Sequence, residues 1–388
     1  MTVTSPATVV MNTYKCRPVR FVSGKGARLV DDQGDSYIDM IAGIAVNSLG
    51  HAHPDLVAAI AEQAAELIHV SNLYESPWQD ELALKLERHL VGSRSFFCNS
   101  GAESVECAVK LARKWARDAG REPTIVCAEG AFHGRTMGAL SATGQPGKKV
   151  AFEPLVGGFV HVPFGDIAAI ERAMGEGAAA VLLEPIQGEA GVVVPPPGFL
   201  AAVRDACDSA GALLILDEVQ TGVGRTGTFF AFEQEGIVPD VVCLAKGLAS
   251  GLPVGACLAS EAIAASFVPG DHATTFGGGP LICRAACVVV DTIGEPDALE
   301  HVTRAGARLS SGLKELWPEA EVRGRGLLIG LDLGTPNAAA ITDAAFERRL
   351  LVNNATDSVV RFAPPLIVSD DDIDACLAIL EEVRDASR

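Results

Sequence analysis

The sequence predicts an α/β protein, a mainly parallel β-sheet covered by helices on both faces with a smaller α+β unit towards the C-terminus. Three observations carry that expectation. Between about residues 93 and 260, apolar runs of four to six residues alternate with helical segments. After about residue 277 that rhythm stops, and a long helical stretch leads into isolated strands. Hydrophobic residues make up 48% of the 388 and charged residues 21%, which suits a large buried interior and argues against a disordered chain.

The elements follow in order. GARLVDDQGDSYIDMIAGIAV reads as two short strands around the polar turn Asp31–Asp35. PDLVAAIAEQAAELIH has helical periodicity with Pro54 at its start, and WQDELALKLERHL is a second amphipathic helix. RSFFCNS is a strand, and AESVECAVKLARKWARDAG is a helix closed by Gly120. TIVCAEG, FVHVPF, AAAVLLEPI, ALLILDEV, VVCLAKG and VGACLAS are strands, with DIAAIERAM and PGFLAAVRDACDSAG as helices between some of them. One long helical stretch is expected over roughly 280–316, then a strand in VRGRGLLIGLDL, a short helix, a strand in VVRFAPPL and a terminal helix over 370–386. The N-terminal hairpin is expected to pack with this last unit.

Charge excludes whole classes of partner. With 49 acidic against 31 basic residues the formal charge is −18, so the surface repels nucleic-acid backbones and anionic lipid. The first residues lack the basic start and apolar core of a secretory signal, and no apolar run approaches the ~20 residues of a membrane span. A cytoplasmic protein is expected. The ten cysteines form no C-x-x-C pair and read as reduced core thiols. Cys283 and Cys287, and His51 and His53, lack further ligands nearby, so no metal is expected.

LLILDEVQTGVGRTG holds Gly222, Gly224 and Gly227 in the spacing of a dinucleotide fingerprint. That fingerprint needs a long helix after the glycines, and TFFAFEQEG is a poor opening for one. A tight loop after a strand is the better reading. Asp217, at the end of LLIL, either caps that loop or sits where ligands bind, beyond the carboxyl ends of parallel strands. Lys246, after VVCLA, either snorkels to the surface or is a desolvated amine made nucleophilic towards carbonyls. In NSGAES, Ser100, Gly101 and Ala102 form either an ordinary N-cap or a phosphate cradle at a helix N-terminus. In AFHGRTMGAL, Phe132 or His133 could stack on a flat ring, and Arg135 could hold a carboxylate by its fork. Taken together, a cradle, a stacking ring, a strand-end Asp and a strand-end Lys describe the needs of pyridoxal 5′-phosphate.

AFHGRT, LLEPIQGEAGV, LDEVQTGVGRTG, PDVVCLAKGLASGLPVGA and HATTFGGGPLICRAA resemble the motifs of class III (ornithine-type) aminotransferases, from about residue 12 to 386. The resemblance implies the type I fold of pyridoxal-phosphate-dependent transferases. This has a large domain built on a mainly parallel seven-stranded sheet and a smaller α+β domain formed by both chain ends. On that pattern residues 1–45 pack with the small domain, 46–276 form the cofactor-binding domain and 277–388 the small domain. Lys246 would bond the cofactor covalently and shuttle the proton. Asp217 would pair with the ring nitrogen, Gln220 with the ring hydroxyl, and Ser100, Gly101 and Ala102 with the phosphate. Phe132 would stack on the ring, with His133 beside it. Thr275 would reach the phosphate of a second subunit's cofactor, implying a homodimer with shared active sites. Arg361 and Arg135 would take the two carboxylates of glutamate. Glu189 would pair with Arg361 and gate it between half-reactions, with Glu184 nearby.

The implied reaction moves the δ-amino group of N2-acetylornithine to 2-oxoglutarate. The family's other amine donors (ornithine, succinylornithine, GABA, lysine, N-succinyldiaminopimelate) are the alternative. Ornithine aminotransferases carry a tyrosine where this chain has Gly43-Ile44, and a small residue leaves room for an N-acyl group. Another reaction on the same cofactor is disfavoured by Arg135, Glu189 and Arg361. A dehydrogenase rests only on GVGRTG, and a non-catalytic binding protein leaves Lys246 and Asp217 without purpose.

Overall fold

A computed structural model describes residues 9–175 and 177–386; the first eight residues of the expected N-terminal segment lie outside the described residues. Near the start, β1 (Phe21–Lys25), β2 (Arg28–Asp31) and β3 (Ser36–Asp39) form an antiparallel meander. The central sheet uses β4 (Ser93–Cys98), β5 (Ile125–Ala128), β6 (Phe159–Val162), β7 (Ala180–Leu183), β8 (Leu213–Asp217), β9 (Val241–Leu244) and β10 (Gly255–Ser260). Its seven strands run in the order β4-β10-β9-β8-β7-β5-β6. Only β10 is antiparallel to its neighbours, so β4 points the same way as β5 to β9.

Successive residues of a strand face opposite sides, and here both sides are apolar, as a doubly covered sheet requires. Val126, Leu183, Leu214, Leu216 and Val242 join one core with Val203 and Cys207 of helix Phe199–Ala210. Ile125, Leu182, Ile215 and Cys243 join the other with Val105, Ala108 and Leu111 of helix Gly101–Asp118. That second helix starts where Ser100 accepts the Glu103 N–H at 3.2 Å, and the chain leaves it through Gly120 at φ 67°.

The rest of the chain adds β11 (Glu321–Arg325), β12 (Leu328–Asp332), β13 (Leu350–Leu351), β14 (Asn353–Asn354) and β15 (Val359–Phe362). β13 extends the N-terminal meander by pairing parallel to β3, so residues from both ends of the chain share one sheet. The other four strands form a sheet in the order β11-β12-β15-β14. The glycine-rich loop after β8 links this region to the central sheet. Buried Arg225 donates to the carbonyls of Leu327 at 3.0 Å and Pro364 at 2.6 Å.

Two expectations need correction. The stretch 280–316 is two helices, Pro280–Ile293 and Pro296–Leu316, because Pro296 supplies no N–H to continue the first and opens the second. VRGRGLLIGLDL is not one strand but the hairpin β11–β12, in which Arg325 pairs with Leu328 across a turn at Gly326 with φ 54°. Nine of the ten cysteines are buried, and none forms a disulfide. Among the described residues no helix is long and apolar enough to cross a membrane.

Candidate active site

Because β4 to β9 run one way, the residues following them collect at one edge of the sheet, where open α/β sheets bind ligands. A cavity of about 450 Å³ opens there. Ser100, Gly101 and Ala102 line it from the turn after β4, Phe132, His133 and Arg135 from the loop after β5, and Glu184 and Glu189 from the loop after β7. Asp217 and Gln220 line it after β8, and Lys246 after β9.

β8 and β9 are neighbours, with Asp217 opposite Cys243, so Asp217 and Lys246 stand on adjacent strand ends. Lys246 has φ 31°, a conformation that lysine adopts only under constraint. The turn Lys246–Ala249 supplies it: Ser48 donates its hydroxyl to the Gly247 carbonyl at 2.7 Å, and the Leu49 N–H reaches Ser250 Oγ at 2.9 Å. Burial lowers the Lys246 pKa; Arg361 pushes the same way, and Glu189, Asp217 and Glu184 only partly oppose it.

Asp217 is buried, with Oδ2 at 2.7 Å from His133 Nδ1 and Oδ1 accepting the Val219 N–H at 3.0 Å. The backbone of His133 is fixed in turn, its N–H donating to Thr143 Oγ1 at 3.0 Å. The sequence left Phe132 and His133 as alternatives for stacking, and the structure gives them different settings. The Phe132 ring is half-buried at the cavity, whereas His133 is buried against Asp217. At the helix start, a Cβ on Gly101 would lie 2.8 Å from Val219 Cγ1, so only glycine lets that helix N-terminus approach the Asp217 loop.

Arg361 lies in β15 and is not itself among the residues lining the cavity; it meets two that are, Glu189 and Gln220. It is almost wholly buried, and its Nη1 donates to Glu189 Oε1 at 2.6 Å, to the Gly188 carbonyl at 3.2 Å and to Gln220 Oε1 at 3.3 Å. Its Nε reaches Asn353 Oδ1 at 3.3 Å. Burial raises the Glu189 pKa, but the charges of Arg361 and Lys246 outweigh it, and the net shift is downward. Among the described residues Glu184 has no such cation in contact. It accepts the N–H groups of Phe132 at 3.0 Å and Gly188 at 3.3 Å, and burial lifts its pKa to about 7, with Asp217 adding to the rise.

Thr275 is exposed and does not line the cavity of its own chain. His51, weighed against a metal role, instead holds Asp39 Oδ2 at 2.8 Å. Sequence reasoning missed Glu106, whose Oε1 accepts the Thr136 hydroxyl at 2.6 Å and the N–H groups of Gly138 at 2.9 Å and Ala139 at 3.1 Å. It anchors the segment that carries Phe132 and Arg135, but in the sequence it reads only as a polar position on a helix. Asn99 also lines the cavity, and its place beside Ser100 was signal enough to find it.

The chain matches the model of the class-III aminotransferases over residues 10–383. It is 50% identical over 383 residues to the acetylornithine aminotransferase of Methanopyrus kandleri, covering 97% of each protein. It is 49% identical over 386 residues to that of Mycolicibacterium smegmatis, covering 98% of this chain and 97% of that protein. Among solved structures, the N-acetylornithine aminotransferase of Stenotrophomonas maltophilia superposes with a TM-score of 0.85 at 40% identity, over 96% of this chain and 97% of that one. The ornithine aminotransferase of Toxoplasma gondii superposes with a TM-score of 0.94 at 31% identity, over 98% and 93%. The seven-stranded sheet, its flanking helices and these full-length likenesses agree, and the chain belongs to the class III aminotransferases, which use pyridoxal 5′-phosphate to move an amino group from an amine donor to a keto acid.

Proposed function

We propose that the protein transfers the δ-amino group of N2-acetylornithine to 2-oxoglutarate, giving N-acetylglutamate 5-semialdehyde and glutamate, a step of arginine biosynthesis. The observation that carries this reading is the Arg361–Glu189 pair at 2.6 Å, in which buried Arg361 is held by Glu189, a residue that lines the same cavity as Lys246 and Asp217. A donor presenting its δ-amine needs no cation at Arg361, and Glu189 neutralises it. An acceptor presenting an α-carboxylate needs that cation, and Glu189 must release it. Relatives about half identical over the whole chain carry the same activity in their names.

The residues fit pyridoxal 5′-phosphate. Helix Gly101–Asp118 aims its N-terminus at the cavity with a capping serine, suited to a phosphate. Asp217 is a buried carboxylate able to pair with a ring N–H cation, and Phe132 offers a ring face. When bound, the cofactor supplies an electron sink for the charge left at the amine-bearing carbon. Asp217 would keep the ring nitrogen protonated, and His133 fixes the orientation of Asp217. Lys246 would hold the cofactor through its aldehyde carbon and, once displaced by the donor's amine, would take the proton from the amine-bearing carbon, its lowered pKa keeping the freed amine neutral. Gln220, tied to Arg361, is available to the ring hydroxyl. Arg361 takes the α-carboxylate of 2-oxoglutarate, and Arg135 takes the distal one.

The exposed position of Thr275 supports its reaching a phosphate in a second subunit, and so a homodimer with shared active sites. The division of the chain at residues 45/46 and 276/277, and a cytoplasmic location, belong to the same reading. The alternative is another donor of the family. Gly43 and Ile44 form a left-handed turn that leads to Val46 at the cavity wall, which supports room for an acyl group. Steady-state kinetics with 2-oxoglutarate and a panel of N-acetylornithine, ornithine, succinylornithine, GABA and lysine test it. The highest kcat/KM is expected with N-acetylornithine, and a higher value for any of the others overturns the assignment.

A further inference from the structure

Two cations share the ring of Phe132, of which Arg135 lines the cavity and Lys148 meets it through that ring. Arg135 Cζ lies 5.5 Å from the centroid of Phe132, and Lys148 Nζ lies 4.8 Å from it. Arg135 and Phe132 line the cavity. Lys148 is the last residue of the short turn Pro146–Lys148 and is half-buried.

Lys148 and its neighbour Lys149 have different settings. Lys149 spends its ammonium on the fold, donating to the carbonyls of Ser141 at 3.1 Å and Thr143 at 2.8 Å. Lys148 Nζ makes no hydrogen bond and no ion pair among the described residues. A half-buried ammonium without an anion is costly, and a ring face recovers only part of the lost hydration. The carboxylates nearest in charge are already engaged: Glu189 by Arg361, and Glu184 by two backbone N–H groups. Among the described residues both cations at Phe132 are therefore left without a carboxylate partner, in a protein whose net charge is −18.

We propose that Lys148 is a substrate-binding residue, which joins Arg135 at the Phe132 ring to hold the distal carboxylate of the dicarboxylate substrates, 2-oxoglutarate and glutamate. The proposal rests on the reading of the cavity as the site of amino transfer to 2-oxoglutarate. The two cations divide the work. The guanidinium fork sets the direction of the carboxylate, and the ammonium adds a point charge that tolerates small changes in its position. Burial lowers the Lys148 pKa, Arg135 and Arg361 lower it further, and Glu189 and Glu184 raise it in part. A bound carboxylate opposes that shift, so alkaline pH should weaken dicarboxylate binding as free Lys148 loses its proton.

The test uses the cofactor-loaded enzyme and glutarate, a dicarboxylate that cannot react. Its Kd is read from the change in the visible absorption of the bound cofactor. In Lys148→Met, the Kd for glutarate and the KM for 2-oxoglutarate should each rise about tenfold, with kcat within about twofold of wild type. Lys148→Arg should restore both constants, and in Lys148→Met the alkaline rise in Kd that is due to Lys148 should vanish. Values for Lys148→Met within about twofold of wild type would overturn the proposal. So would a joint loss of kcat and affinity that arginine does not restore, because that marks a structural role. The glutarate arm is independent of the amine donor, so failure of N-acetylornithine as donor leaves the proposal standing. A wild-type enzyme that ignores glutarate overturns both the proposal and the dicarboxylate reading beneath it.

Discussion

Asp217 Oδ2 and His133 Nδ1 lie 2.7 Å apart, both side chains buried, and the contact joins the end of β8 to the loop that follows β5. The Val219 N–H holds the other carboxylate oxygen, so Asp217 can turn only by breaking two contacts. Replacing it with alanine should lower kcat by about a hundredfold or more, because the cofactor loses its electrostatic partner. His133→Ala should cost less, about tenfold, since it removes the orienting contact but keeps the charge. Single-turnover rates of the two variants check the order, and equal losses would contradict it.

Glu189 and Arg361 oppose one another in the two half-reactions. In Glu189→Ala the guanidinium is never neutralised. The half-reaction with glutamate should stay within a few-fold of wild type, and that with N-acetylornithine should slow by about tenfold or more. Stopped-flow traces of each half-reaction alone give the comparison.

Glu184 sets a pH effect on stability. Its folded-state pKa of about 7 lies above the ordinary 4.5, so between these values the folded protein binds more protons than the unfolded one. Stability from this group is therefore present at low pH and lost as pH rises through about 7. Glu184→Gln removes the titration. Relative to wild type, the variant should gain stability, with a larger free energy of unfolding, as pH goes from about 5 to 8. Urea melts of the two proteins across that range would show the slope, and parallel curves would exclude the effect.

Asp39 restrains an unusual turn. Ala42, Gly43, Ile44 and Ala45 all have positive φ, which for the three non-glycine residues is strained. Asp39 Oδ1 accepts the N–H groups of Ile41 at 3.1 Å and Ala42 at 2.8 Å, and His51 Nε2 holds Oδ2 at 2.8 Å. Asp39→Ala should cost about 2–3 kcal/mol of stability, because it leaves buried N–H groups unpaired. Chemical denaturation of the variant measures it.

Much of the fold was legible because strands buried on both faces are continuous apolar runs, as ALLILDEV and VVCLAKG are. The β11–β12 hairpin was hidden because the half-exposed, charged residues of β11 carry no strand pattern of their own and the turn at Gly326 is short, so VRGRGLLIGLDL read as one strand. The two-residue strands β13 and β14 have no pattern to read at all. The candidate site was legible where chemistry forces an odd residue to a strand end, as with Asp217 and Lys246. Glu106 and Lys148 were not legible, because each acts through a contact made only when a distant turn folds back.

The most direct test of the account is the visible absorption spectrum of the purified protein with pyridoxal 5′-phosphate, before and after N-acetylornithine is added without an acceptor. The expected result is a yellow protein whose band bleaches with the donor and returns with 2-oxoglutarate, and a Lys246→Ala variant without that covalent band and without turnover. A wild-type protein that stays colourless after incubation with the cofactor, or a Lys246→Ala variant that turns over like wild type, would contradict it.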